Sequence, residues 1–142
     1  MIYWDTSAFV KCYAPLETNH ARAYNLLTRE KGHAASVLIH PETVSAVIRK
    51  RARDVPQREA ALRLVSEHLE NFELIPVEQK QVDLSLRLIR EHSLRSGDAI
   101  HLAAALTMAR EIGRSRLRFL SADEEQLAAA REENLRVIEL AP

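Results

Sequence analysis

Five short apolar segments alternate with longer helical patterns along the chain, and this alternation restricts the fold to a small set of α/β arrangements. The apolar segments span residues 2–4, 33–38, 72–77, 117–120 and 135–140. The first is apolar at every position, which is typical of a central parallel strand. Strands separated by helices form βαβ units with right-handed crossovers. We therefore expect an α/β three-layer sandwich, with a mostly parallel central sheet flanked by helices.

Helical patterns fill the intervals between these segments. A short helix begins near Ser7, and longer ones span 19–30, 41–53, 57–70, 79–91, 98–112 and 123–133. Thr18 is a plausible N-cap for the helix at 19–30. Pro41 lies early in its helix, where its missing N–H does no harm. Because two helices lie between some strands, we expect a helix-rich form of the sandwich.

The composition is that of an ordinary globular chain. Its 142 residues are 46% apolar and 28% charged, so we expect a single domain, residues 1–142, with a full core. The single cysteine, Cys12, excludes an internal disulfide and is expected in the core. The acidic Asp5 argues against a signal peptide, and no apolar run approaches the ~18 residues that cross a bilayer. We expect a cytoplasmic protein without membrane contact.

Four acidic residues lie at the ends of predicted strands or in the first turns of predicted helices: Asp5, Glu42, Asp98 and Asp123. The carboxyl ends of parallel strands share one edge of a sheet, where such folds bind ligands. Four acids that meet there repel one another unless a divalent cation is bound, and carboxylates suit Mg²⁺ or Mn²⁺. We expect raised carboxylate pKa values in the metal-free protein and stabilisation by metal.

Several of these residues also have a simpler interpretation. An acid at a helix start favours the helix N-terminus by itself, so Asp123 could only cap its helix, with Glu124 or Glu125 as the ligand instead. Arg49 follows Glu42 by two turns; it could contact a substrate phosphate, and a solvated arginine is an equal alternative. His101 is interpreted as a hydrogen-bonded residue of the helix packing, not as a metal ligand.

The acids lie within four motifs that resemble those of the PIN-domain nucleases. The motifs are IYWDTSAFVK at 2–11, PETVSA at 41–46, GDAIHLAAA at 97–105 and FLSAD at 119–123. Within that family the chain is most similar to the VapC-type toxins of toxin–antitoxin pairs. The resemblance implies an endoribonuclease that uses Mg²⁺ or Mn²⁺, forms a homodimer and is blocked by a cognate antitoxin.

The resemblance also implies which residues form the site. The four acids of the family match Asp5, Glu42, Asp98 and Asp123. Its supporting hydroxyls match Thr6 or Ser7 after the first acid, and Ser121 before the last. In the family's chemistry these acids serve a metal-activated water that attacks phosphorus and leaves 5′-phosphate and 3′-hydroxyl ends. Asn134 stands where many relatives have glycine, but asparagine can adopt the left-handed conformation required there.

Two alternatives come from other functional classes. A phospho-receiver signalling module has acids after its first strand, an aspartate after its third and a lysine near its last. Glu78 follows the third predicted strand here, and lysine is nearly absent from the C-terminal half. A catalytically silent PIN-like scaffold that only binds a partner is the other alternative, and the presence of all four acids argues against it. The equal numbers of acidic and basic residues, 20 each, do not decide for or against an RNA substrate.

Overall fold

A five-stranded parallel sheet forms the middle layer of the protein. The computed structural model describes residues 1–50 and 54–140. The strands are β1 (Ile2–Trp4), β2 (His33–Ser36), β3 (Phe72–Ile75), β4 (Arg118–Ser121) and β5 (Arg136–Glu139), in the order β3-β2-β1-β4-β5. Every neighbouring pair is parallel. The predicted parallel sheet is confirmed.

Within the described residues, seven α-helices connect and cover the strands. They are α1 (Thr6–Phe9), α2 (His20–Arg29), α3 (Ile39–Arg49), α4 (Val55–Leu69), α5 (Gln79–His92), α6 (Ser96–Ile112) and α7 (Glu124–Glu132). A short 3₁₀ helix at Val10–Tyr13 extends α1, and another at Arg114–Arg116 precedes β4. Each predicted helix is present within a few residues of its expected ends. The predicted end of the third helix at Arg53 lies outside the described residues.

Three local predictions needed adjustment. Thr18 is not the N-cap of α2: Asn19 occupies that position with a left-handed φ of 70° and makes no side-chain capping bond. β2 ends at Ser36 because the Ser36 hydroxyl accepts the Leu38 N–H and turns the chain into α3. β3 ends at Ile75, since the following proline has no N–H to continue a ladder.

Two apolar cores lie on opposite faces of the sheet, because side chains alternate along each strand. Ile2 and Trp4 face the core formed with α1–α4, and Tyr3 faces the core formed with α5–α7. Tyr3 and Trp4 are fully buried, as expected for core residues. Cys12 is also buried, in the first core. These two cores make the predicted three-layer sandwich.

The strand order reverses between β1 and β4. From β1 the chain continues to β2 and β3 on one side, then crosses back so that β4 lies on the other side of β1. Ligands of open α/β sheets bind outside the carboxyl ends of the strands at such a reversal. Asp5 follows β1 and Asp123 lies two residues after β4, so the topology itself brings two of the acids together.

The same strand order excludes the phospho-receiver alternative, whose fold has the order 2-1-3-4-5. Asn134 adopts the predicted left-handed conformation, with a φ of 64°. Among the helices of the described ranges, none has both the length and the apolar character required to span a membrane.

Candidate active site

Asp5 lies at the end of β1 and is almost completely buried. It is the N-cap of α1, where Oδ2 accepts the Ser7 N–H at 3.0 Å and the Ser7 hydroxyl hydrogen. Its other oxygen, Oδ1, accepts a hydrogen bond from the side-chain amide of Gln126 at 3.0 Å. Both carboxylate oxygens are thus oriented by donors, and Oδ1, which accepts a single hydrogen, keeps a further lone pair.

Glu42 lies in the first turn of α3, across the strand ends from Asp5. Its Oε1 accepts hydrogen bonds from the Thr6 hydroxyl at 2.7 Å and from His101 Nε2 at 2.6 Å. Its Oε2 faces the start of α6, where a Cβ built on Gly97 would lie 3.2 Å away. Burial raises the pKa of Glu42, but the bonds from His101 and Thr6 outweigh it and the pKa is lowered. The prediction of a raised pKa is therefore wrong for Glu42.

His101 connects Glu42 to the central strand. The Tyr3 hydroxyl lies 3.1 Å from His101 Nδ1 and accepts the Ser36 N–H at 2.9 Å. Tyr3 therefore donates its hydrogen to Nδ1, and in the neutral ring Nε2 carries the hydrogen given to Glu42. Burial lowers the pKa of His101, but the bond to Glu42 and the nearby carboxylates raise it overall. Since both ring nitrogens have protein partners, His101 is a packing residue, as predicted.

Asp98 lies in the first turn of α6, where its pKa is affected by the charges of the other three acids. Its pKa is raised from 3.8 to about 6, first by burial and then by the charges of Asp5, Asp123 and Glu42; His101 acts in the opposite direction. This confirms the raised pKa expected for an acid surrounded by like charges. The metal-free site therefore favours the protonated form of Asp98 more than water does.

Asp123 is the N-cap of α7, and its Oδ1 accepts the Gln126 N–H at 3.0 Å. The capping interpretation of Asp123 is thus correct, and this bond uses only one carboxylate oxygen. Glu124 and Glu125 are both exposed. Ser121 accepts the Asp123 N–H at 3.0 Å and donates to Gln126 Oε1 at 2.8 Å. Asp123 therefore combines a capping role with a place beside Asp98.

Gln126 is the one central side chain that the sequence did not indicate. It is fully buried and touches Asp5, the Asp98 carbonyl and Ser121. Its position three residues after a capping aspartate predicts only a capped backbone N–H. Nothing in the local sequence points from α7 to the end of β1.

The donor set suits a hard divalent cation. Within the described part of the chain, none of the four acids pairs with a lysine or an arginine, and His101 is the single basic partner of Glu42. Carboxylate oxygens on four separate elements, with one pKa raised by the others, are what a bound Mg²⁺ or Mn²⁺ would neutralise. The residues present therefore fit such an ion.

A tighter group of potential ligands lies elsewhere, at the ends of α5 and α7. Ligand atoms of Glu91, His92 and Glu133 lie within 4.8 Å of one another, and in the described residues only this group does so. Arg87 already neutralises it through bonds to Glu91 at 2.7 Å and to Glu133 at 2.9 Å. No three of the four acids at the strand ends, which all lie in the described ranges, bring ligand atoms within that distance of one another.

Arg49 is exposed at the last residue of α3, about 10 Å along the helix axis from Glu42. It lines a groove between α3 and the 3₁₀ helix, together with Val10, Tyr13 and Ala46. None of the four acids lines this groove. A contact between Arg49 and a substrate phosphate stays a prediction.

The comparison with family models and the comparison with solved structures agree with each other. A family model described as PIN domain matches residues 2–132. A toxin–antitoxin complex from Klebsiella pneumoniae is similar in structure, with a TM-score of 0.66 and 18% identity over 97% of this chain and 96% of that one. VapC20 from Mycobacterium tuberculosis, described as a sarcin–ricin loop cleaving toxin, has a TM-score of 0.68 and 16% identity over 91% and 95%. Among curated protein sequences there is no significant match.

Proposed function

The chain belongs to the PIN domain family, and on this premise we propose that it is a divalent-metal-dependent endoribonuclease, the toxin of a toxin–antitoxin pair. The observation that carries the proposal is the environment of Asp98. Burial first and three further carboxylates second raise its pKa to about 6, and no lysine or arginine of the described residues pairs with any of the four acids. A fold keeps such an arrangement when binding a cation offsets its cost.

The proposed roles follow from the contacts. The acids that would hold Mg²⁺ or Mn²⁺ and carry catalysis are Asp5, Glu42, Asp98 and Asp123. The hydroxyls that would orient them are those of Thr6, Ser7 and Ser121. When bound, the ion supplies charge neutralisation at the phosphodiester and a water of lowered pKa. The chain itself fixes the carboxylates, and Arg49 is proposed to contact the RNA backbone.

The partners are proposed from similar structures. The Klebsiella pneumoniae neighbour is a toxin–antitoxin complex, and a VapBC2 complex from Rickettsia felis bound to a DNA fragment of its promoter is similar over 98% of both chains, with a TM-score of 0.66 and 16% identity. We therefore propose a cognate antitoxin, a homodimer and a cytoplasmic site of action. Residues 1–142 would form one nuclease domain.

Cleavage of defined RNAs tests this function. The purified chain, without antitoxin, is incubated with a panel of transfer RNAs and ribosomal RNA fragments that includes a sarcin–ricin loop. Cleavage is expected with Mg²⁺ or Mn²⁺ and not with EDTA. Asp98→Asn removes a charge from a carboxyl group that makes no hydrogen bond within the described ranges, so this variant should fold and lose cleavage by several orders of magnitude.

Asp83→Asn is the matched control, because Asp83 is exposed on α5 and bonds only to Gln79 on the same helix. It should cleave like the wild type. Metal-dependent cleavage that persists in Asp98→Asn would contradict the assignment of the site. Metal binding without cleavage of any RNA in the panel would favour the silent scaffold instead.

A further inference from the structure

Gln126 is a buried polar side chain to which the proposed chemistry assigns no part. It lies in the first turn of α7 and is completely inaccessible to solvent. Its Nε2 donates to Asp5 Oδ1 at 3.0 Å and to the Asp98 carbonyl at 3.2 Å, and its Oε1 accepts the Ser121 hydroxyl at 2.8 Å. All hydrogen-bond partners of this buried amide belong to the candidate site, so the amide does more than occupy space in the core.

The hydrogen-bond partners of Gln126 fix the orientation of its amide. The Ser121 hydroxyl accepts the Asp123 N–H and therefore has its own hydrogen free for Gln126 Oε1. Turned the other way, the amide oxygen would face the Asp5 carboxylate and the Asp98 carbonyl, which both lack hydrogens. That arrangement would leave buried acceptors against one another, which is unfavourable because neither can supply a hydrogen.

The amide joins elements that are far apart in sequence. Asp5 ends β1 and Asp98 starts α6, and 121 residues separate Gln126 from Asp5. The two N–H groups of one amide reach both, so a single side chain links the Asp5 carboxylate directly to the first turn of α6. In metal sites, the groups that hydrogen-bond the ligands fix their orientation and thereby tune metal affinity.

We propose that Gln126 is a positioning residue, whose amide holds the Asp5 carboxylate and the start of α6 at the separation required for one divalent cation. The inference rests on the proposed function, because it assumes that the acids bind such an ion. A purely structural role would make Gln126 matter for stability and not for metal affinity. The two roles differ in what a substitution changes.

Calorimetric titration with Mn²⁺, without RNA, separates these roles. Gln126→Met keeps the length and volume of the side chain and removes the amide. Gln126→Asn keeps the amide but withdraws it by about one C–C bond, so that it no longer spans to Asp5. Both variants should bind Mn²⁺ about 10- to 100-fold more weakly than the wild type, the range typical for the loss of a group that orients a ligand.

Gln81→Met is the matched control. Gln81 is equally buried, on α5, and its amide oxygen accepts the Glu78 N–H in a capping box remote from the acids. The substitution should lower the melting temperature and leave Mn²⁺ affinity within about twofold of the wild type. Circular dichroism monitors folding in all variants, and Gln126→Asn decides the question if Gln126→Met does not fold.

The outcomes distinguish this inference from the function on which it rests. Weaker Mn²⁺ binding in the folded Gln126 variants, with cleavage restored at saturating Mn²⁺, supports it. Wild-type affinity in a folded Gln126 variant overturns the inference and leaves the proposed function standing. A wild-type protein that binds no Mn²⁺ overturns both.

Discussion

The charge on Asp98 should destabilise the metal-free protein at neutral pH. Its folded-state pKa is about 6, raised by burial first and by neighbouring carboxylates second, against 3.8 for an ordinary aspartate. A group whose pKa is raised by folding contributes stability below its unfolded pKa and loses it as pH rises through the folded pKa. Stability should therefore fall between about pH 4 and pH 7.

The size of this destabilisation follows from the pKa shift of Asp98. A difference of about two pKa units corresponds to about 3 kcal/mol. Asp98 is only half-buried, so solvent screens part of this, and the helix N-terminus favours the charge by about 0.3–1 kcal/mol. We expect Asp98→Asn to raise the free energy of unfolding by about 1–2 kcal/mol at pH 8, and by much less at pH 4.5.

Urea denaturation in EDTA, at both pH values, measures this directly. The wild type, Asp98→Asn and the exposed control Asp83→Asn are compared, and only Asp98→Asn should show a gain that grows with pH. Adding Mn²⁺ should reverse the order, because the wild type binds the ion and the variant does not. Equal stability of the wild type and Asp98→Asn at pH 8 would refute the idea that the acids crowd one another.

Two further substitutions test the supports of the site. Tyr3→Phe leaves the buried Ser36 N–H and a His101 ring nitrogen without partners, and should lower the free energy of unfolding by about 1–3 kcal/mol in urea. The control Tyr24→Phe, at an exposed position, should change the free energy of unfolding by less than about 0.5 kcal/mol. Equal effects of the two substitutions would contradict the hydrogen bonds of Tyr3. Gly97→Ala should gain about 0.5–1 kcal/mol of helix stability and yet weaken Mn²⁺ binding, because the new methyl group presses on Glu42 Oε2. Gly113→Ala should lower stability and leave Mn²⁺ affinity unchanged, since its φ of 99° strains alanine far from the site; a Gly97 variant with unchanged Mn²⁺ affinity would exclude the contact.

The sequence was most informative where structure depends on local pattern. The strand and helix alternation, the parallel sheet and the junction positions of the acids all follow from periodicity and from residues adjacent in the chain. Asn134 was predictable for the same reason, because its left-handed conformation is a property of one helix end. Thr18 failed as a cap since the chain enters α2 through a left-handed Asn19, which capping preferences do not reveal.

The details of the site were less predictable, because they depend on contacts across the fold. Glu42 was expected to have a raised pKa, and the reverse is true because His101, 59 residues away, donates to it. The spacing of Asp98 and His101 on one helix was visible in the sequence, but not that the ring would bridge Tyr3 and Glu42. Gln126 carried no signal at all, since its partners lie on β1, α6 and β4.

These contacts explain why the acids remain crowded in the metal-free protein. Asp5 is held by Ser7 and Gln126, and Glu42 by Thr6 and His101, so neither can swing away to relieve the repulsion at Asp98. An ion that binds only the folded state contributes about 2.7 kcal/mol at a concentration 100-fold above its dissociation constant. That contribution exceeds the 1–2 kcal/mol expected from Asp98. If the proposed function holds, the rigid supports thus keep the carboxylates in place for a cation whose binding would offset this cost.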